Sequence, residues 1–237
     1  MLQETLKQNI QQIEESISDS LRNNHRDSVT LICVSKSVDV ETTKQVVAEG
    51  ITHLAENRVE NLLLKQSALK ESGEITWHFI GNLQRRKVKE IINEIDYFHA
   101  LDSLKLAGEI NKRATKCVKC FIQVNVSGEA SKQGITPSEL EEFVSSLSEY
   151  KNIQIVGLMT MAPFDSQEAE LRQIFSQLNE LKLSVENRKL PYAPCHELSM
   201  GMSRDFKIAI EEGATFVRVG TNFFMKKRKR WKKDEFI

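Results

Sequence analysis

Apolar residues at Leu2, Leu6, Ile10, Ile13, Ile17 and Leu21 recur every three or four positions, which predicts an amphipathic helix over the first two dozen residues. The rhythm then changes. Residues 29–34 form a short, β-branched apolar run that reads as a strand, followed by a helical stretch over about 40–49 that closes at Gly50, a suitable C-cap. The unit recurs, with further strands predicted near 53–56, 76–80, 97–100, 118–126, 153–159, 196–199 and 215–219, alternating with helical patterns. Two helix starts carry their own capping chemistry. Thr136-Pro137-Ser138-Glu139 offers an N-cap, a proline at N1 and a capping-box glutamate, and Asp165 with Glu168 repeats the box ahead of Leu171, Ile174, Phe175, Leu178 and Leu181.

Eight strand-helix alternations in roughly 200 residues, without a Pro/Gly/Ser-rich linker, predict one α/β domain: a closed (β/α)8 TIM barrel over residues 1–225 with an extra N-terminal helix. The rival is a doubly wound open sheet. Against it, no G-x-G-x-x-G follows the first strand; Val34-Ser35-Lys36-Ser37 stands there instead.

The composition adds limits. A chain of 237 residues, 40% of them hydrophobic, has enough apolar material for one sizeable core. Lys+Arg and Asp+Glu both total 33, but seven of the eight residues in 226–233 are basic, so the rest of the chain is net negative and the tail 226–237 is a separate electrostatic object. Such a run could reach RNA, an anionic membrane or an import receptor; it is read here as a solvated terminus, with no nucleic acid expected among the partners. No stretch approaches the ~18 apolar residues of a membrane span, and no secretory pattern opens the chain, so a soluble cytoplasmic protein is expected. Cys33, Cys117, Cys120 and Cys195 read as thiols, and the lone Cys117-x-x-Cys120 spacing is too weak to predict a metal.

In such a barrel the chemistry lies at the carboxyl ends of the strands. The polar residues falling there are Ser35 and Lys36, Glu56 and Asn57, His78 with Gly81, Asn82 and Gln84, then Asn125, Thr160 beside Met159, Ser199 with Gly201, and Arg218 with Gly220 and Thr221. A lysine ending a buried strand is expected to be partly desolvated, which favours the neutral amine that can attack an aldehyde. The plainer reading is an ammonium that snorkels to solvent. Ser199-Met200-Gly201-Met202-Ser203 and Gly220-Thr221 follow strands seven and eight, the frequent phosphate site of barrels, with hydroxyls, close backbone approach and free amides to offer an anion. A guanidinium at Arg218 either pairs with a carboxylate or donates to a ligand nitrogen; facing a pyridine nitrogen, it would keep that atom unprotonated and weaken the ring as an electron sink. His78 reads as a packed pocket wall rather than a general base.

These segments resemble the pyridoxal phosphate homeostasis family, itself similar to the barrel domain of alanine racemase (fold-type III). The resemblance covers about residues 1–224 and runs through Val34-Ser35-Lys36, Glu56-Asn57-Arg58-Val59, Trp77-His78-Phe79-Ile80-Gly81, Asn125-Val126-Ser127-Gly128-Glu129 with Lys132 and Gly134, Gly157-Leu158-Met159-Thr160, Leu198-Ser199-Met200-Gly201-Met202-Ser203 and Val217-Arg218-Val219-Gly220. It implies that Lys36 carries pyridoxal 5'-phosphate as a Schiff base, that Ser199, Gly201, Gly220 and Thr221 hold the phosphate, that Arg218 meets the ring nitrogen, and that Asn57, His78 and Met159 line the pocket.

By the same resemblance the protein is expected to carry the cofactor in vitamin B6 homeostasis without established catalysis, with pyridoxal phosphate-dependent apoenzymes as recipients; a monomer is expected. The alternative is an amino-acid racemase, for which a second base is needed; Tyr97, Tyr150 and Tyr192 do not fall at strand ends. Four positions depart from the family pattern: Ala55 for glycine, Val38-Asp39 for Lys-Pro, Arg86 for asparagine and Met225 for glycine.

Overall fold

A computed structural model describes residues 2–129 and 133–225. Lys132 and the basic tail 226–237, both singled out above, lie outside the described residues. The elements run α1 (Leu2–Asn23), β1 (Thr30–Val34), α2 (Val40–Ala48), β2 (His53–Glu56), α3 (Val59–Ala68), β3 (Thr76–Phe79), α4 (Val88–Ile91), β4 (Tyr97–Leu101) and α5 (Leu104–Arg113). They continue with β5 (Val118–Gln123), α6 (Leu140–Ser146), β6 (Ile153–Met159), α7 (Glu168–Glu186), β7 (Glu197–Met202), α8 (Phe206–Glu211), β8 (Phe216–Val219) and α9 (Thr221–Phe224).

The eight strands pair in sequence order, all parallel, and β8 closes on β1 through Thr30↔Phe216 to Cys33↔Val219. The predicted (β/α)8 barrel is therefore the observed fold. Strand periodicity makes alternate residues face the barrel axis and the helical ring, so a one-residue slip would exchange the two sets. Leu54, Ile32, Val217 and Ile155 are fully buried, as both faces of a parallel sheet must be.

Helix α1 buries Leu6, Ile10, Ile13 and Ile17 and packs on α8 and α9. Each such side chain contributes about 1.5–3 kcal/mol when buried. Asn9, on the same helix, donates from Nδ2 to the carbonyl oxygens of Phe223 and Met225, fastening the last helix beside the barrel mouth. No helix of the described residues is long and apolar enough to cross a membrane.

Three boundaries differ from the sequence reading by more than one residue. Strand β5 stops at Gln123 because the following backbone turns to pair with Ile135, with Asn125 N–H donating to Ile135 O and Ile135 N–H to Gln123 O. Strand β7 runs on to Met202 across a register shift, which brings Met202 opposite Arg218. Helix α7 is not capped by Asp165: that residue is used in a turn closed by Ser166 N–H on Pro163 O, and the helix begins after Gln167. The capping box at Thr136 and Glu139 is present, with Glu139 accepting from the Thr136 amide at 2.7 Å.

Candidate functional site

A cavity of about 440 Å³ opens at the carboxyl ends of the strands. Its walls include Lys36, Asn57, Met159, Arg218, Gly220 and Thr221, six of the nine site residues expected from the sequence. His78, Ser199 and Gly201 are not among the walls. His78 and Ser199 are fully buried further down the barrel axis. Gly201 has φ +89°, and a Cβ there would come within 2.5 Å of Ala209 Cβ, so this glycine lets α8 pack on β7.

Lys36 sits at the corner of a tight turn in which Val38 N–H donates to Ser35 O at 3.0 Å. Its side chain is exposed, which corrects the expectation of a partly desolvated amine: two residues beyond Val34 the chain has already left the sheet. The sheltered lysine is another one. Lys65, on α3 and 3% exposed, donates from Nζ to Glu56 Oε1 at 2.6 Å and to the Ser35 carbonyl at 2.7 Å. The Ser35 hydroxyl donates to the same Glu56 oxygen at 2.7 Å, while Glu56 Oε2 is buried without a partner among the described residues. A buried ion pair thus pins the peptide that presents Lys36. The sequence carried a signal for it: Val59, Leu62, Lys65 and Leu69 step along one apolar helix face, and a lysine on such a face needs a partner.

Arg218 is 4% exposed and gives its hydrogen bonds to neutral oxygens, Nη2 to Thr160 O at 2.9 Å and Nη1 to Ser199 Oγ. Burial pulls its guanidinium down to about 10, opposed by the charge of Asp205. Asp205, raised above the usual carboxylate range by burial, accepts the Met202 amide on Oδ1. On the opposite side Ser203 Oγ accepts the N–H groups of Gly220 at 3.1 Å and Asn222 at 3.5 Å. A Cβ on Gly220 would stand 3.3 Å from Val34 O, so glycine allows β1 and the loop after β8 to close together.

The rim after β6 is apolar. Met161, Ala162, Pro163 and Phe164 line the mouth, Phe164 being 78% exposed. Arg204 stacks its guanidinium 4.0 Å from the Phe164 ring centroid and donates to the Phe164 carbonyl, tying the loop after β6 to that after β7. Below the cavity a row of imidazoles fills the barrel: His53 Nδ1 lies 3.0 Å from His78 Nε2, His78 Nδ1 2.8 Å from His99 Nε2, and His99 Nδ1 2.9 Å from Ser199 Oγ. Burial holds His78 and His99 well below the ordinary histidine value. Sequence reading found only His78 of the three, although all three lie on consecutive strands. Among the described residues no group of His, Cys, Asp or Glu could hold a metal.

A parallel eight-stranded barrel with a lysine, a buried arginine and amide-bearing small residues around one mouth is a barrel of the alanine racemase N-terminal-domain class, and that family's model matches residues 4–227. Proteins called pyridoxal phosphate homeostasis protein are similar over most of the chain: that of Aquifex aeolicus is 41% identical over 200 residues, 82% of this chain and 85% of its own, and that of Bos taurus 36% identical over 209 residues, 82% and 76%. The solved structure of PipY from Synechococcus elongatus PCC7942 with PLP bound is 32% identical, with a TM-score of 0.80 over 93% of this chain and all of that one. Alanine racemase from Corynebacterium glutamicum, 13% identical with a TM-score of 0.69, shares the fold over 96% of this chain and 62% of its own. This chain belongs to the pyridoxal phosphate homeostasis protein family.

Proposed function

We propose that this protein binds pyridoxal 5'-phosphate as a Schiff base on Lys36 and holds it for cytoplasmic vitamin B6 homeostasis, as a monomer and without turnover of its own. The observation that carries the reading is that Lys36, Arg218, Gly220 and Thr221, from the neighbouring strands β1 and β8, are walls of one cavity.

The donors fit the cofactor. Lys36 Nζ would be the amine that holds the cofactor through its aldehyde carbon, water being the leaving group. Gly220 and Asn222 amides, now satisfied by Ser203 Oγ, and the Thr221 hydroxyl are hydrogen-bond donors for a phosphate. Arg218 donates toward the ring nitrogen and, being cationic, keeps a proton off it. When bound, the cofactor supplies an electrophilic carbon and an electron sink, and an unprotonated ring nitrogen weakens the sink. Met159 and Asn57 are walls of the same cavity and would flank the ring.

The same walls favour storage over racemisation. Apart from Lys36, the acidic wall residue is Asp205, whose carboxyl is raised by burial and whose Oδ1 is engaged by the Met202 amide. Tyr97 is at the other end of the barrel, stacked 4.8 Å from His78. The exposed apolar rim at Met161 and Phe164 suits delivery to an apoenzyme by contact.

The test is incubation with pyridoxal 5'-phosphate, borohydride reduction and peptide mass spectrometry. A visible absorption band and a pyridoxyl adduct on Lys36, both lost in Lys36→Ala, are the expected result. A colourless protein, or an adduct confined to other lysines, overturns the reading.

A further inference from the structure

We propose that His53, His78, His99 and Ser199 form a reversible hydrogen-bond column that couples protonation at the amino-terminal mouth of the barrel to the grip of Arg218 at the carboxyl mouth. The column deepens the reading of Arg218 as the ring-nitrogen contact, and its effect on the cofactor rests on that reading.

Barrel interiors are normally filled by layers of branched apolar side chains. Here four polar side chains, each within 3.0 Å of the next, cross that space, and Phe121 and Phe216 pack around them. Buried polar groups are tolerated when all are satisfied, and a fully satisfied network has a direction.

Arg218 can only donate, so it occupies a lone pair of Ser199 Oγ and leaves His99 Nδ1 as the acceptor that the column offers the serine hydrogen. With its N–H on Ser199 Oγ, the serine hydroxyl hydrogen goes to His99 Nδ1. His99 then carries its proton on Nε2 and donates to His78 Nδ1; His78 carries its own on Nε2 and donates to His53 Nδ1. All three rings are neutral and share one tautomer.

His53 is half-buried, at the start of β2, and is the member nearest solvent. A second proton on His53 must reside on Nδ1, which forces His78 Nε2 to accept. His78 then holds its proton on Nδ1, His99 does likewise, and Ser199 Oγ receives both His99 and Arg218 while its own hydrogen gives up His99 as acceptor. One proton is gained, none is lost, and both inner rings exchange tautomers without gaining charge. The serine oxygen is thereby a poorer acceptor for Arg218, which frees the guanidinium for a ligand in the cavity.

The charged and titratable neighbours are few. Asp96 acts on His53, Tyr97 stacks on His78 with Lys119 Nζ 5.0 Å from the tyrosine ring centroid, Arg218 opposes charge on His99, and Asp205 faces Arg218.

The full chain has five histidines, few enough to assign by 15N–1H long-range correlation. In protein without added cofactor, His78 and His99 are expected to exchange the protonated and unprotonated 15N shifts of their two ring nitrogens as His53 titrates. Unchanged tautomers through that titration overturn the column.

A second arm measures the pyridoxal 5'-phosphate dissociation constant against pH in wild type and in His53→Asn. Wild type should gain at least about fivefold in affinity over the variant on the acid side, the lower end of ordinary coupling between sites. Equal profiles, or a gain of the opposite sign, remove the coupling while leaving the Lys36 adduct intact. If no adduct forms in either protein, the cofactor reading falls and the tautomer measurement alone decides the column.

Discussion

Lys65 Nζ donates to the carbonyl oxygen of Ser35 at 2.7 Å, so the peptide leading into Lys36 is held by a second lysine buried beneath it. The same ammonium neutralises Glu56, which is 0% exposed. Removing one partner of a buried pair strands the other's charge. Lys65→Met should lower the unfolding free energy by about 3–5 kcal/mol, and Lys65→Met combined with Glu56→Leu should recover most of it. Urea unfolding of the three proteins measures both.

Gly81 and Gly108 make opposite predictions for the same change. A Cβ on Gly81 would lie 2.2 Å from Asn57 O, so Gly81→Ala must displace the backbone of a cavity wall. It should cost about 1–3 kcal/mol and weaken pyridoxal phosphate binding. Gly108 lies inside α5 with only Tyr150 Oη at 3.7 Å, and Gly108→Ala should stabilise by about 0.5–1 kcal/mol with binding unchanged. Thermal melting and cofactor titration separate the two.

Acid should unfold this barrel through its interior. His78 and His99 are held neutral by burial, whereas in the unfolded chain they take up protons below about pH 6.5. The unfolded state then binds more protons than the folded one, so stability falls as pH falls from 6.5 toward the folded values. Each ring contributes about 1.4 kcal/mol per pH unit over that window. Denaturant unfolding at pH 7 and pH 5.5 should show the loss, and His78→Phe combined with His99→Phe should flatten it.

Lys36→Ala should separate binding from stability. The side chain is exposed and makes no hydrogen bond or ion pair among the described residues, so the change should stay within about 0.5 kcal/mol of wild type without cofactor. With pyridoxal phosphate present, wild type should melt higher and the variant should not. A variant still stabilised by the cofactor would contradict the proposed attachment.

The periodic parts of the molecule were legible from the residues. Strand-length apolar runs between amphipathic helices define the barrel, and its carboxyl ends gather Lys36, Asn57, Met159, Arg218, Gly220 and Thr221 as expected. What was not legible depends on direction across the barrel axis. Ser199 and His78 share strand-end chemistry with the wall residues, yet their side chains point to one another's neighbours through His99 rather than into the cavity. Gly201 was read as allowing close backbone approach to a phosphate in the loop after strand seven; its positive φ and the nearness of Ala209 add a packing role that spacing does not carry. Lys36 and Lys65 differ in burial for a reason that single-chain spacing does not carry: one follows the sheet edge, the other points back under it from α3.

Ser203 Oγ already occupies two amides of the loop after β8. On the proposed reading, an arriving phosphate exchanges one oxygen for another instead of meeting bare donors, and its net gain is the difference between the two. Release is the same exchange run backwards, with the hydroxyl waiting to take the amides back. On the proposed carrier reading, such a grip suits a molecule that must be lent out, because the Ser203 hydroxyl restores both amide hydrogen bonds on release.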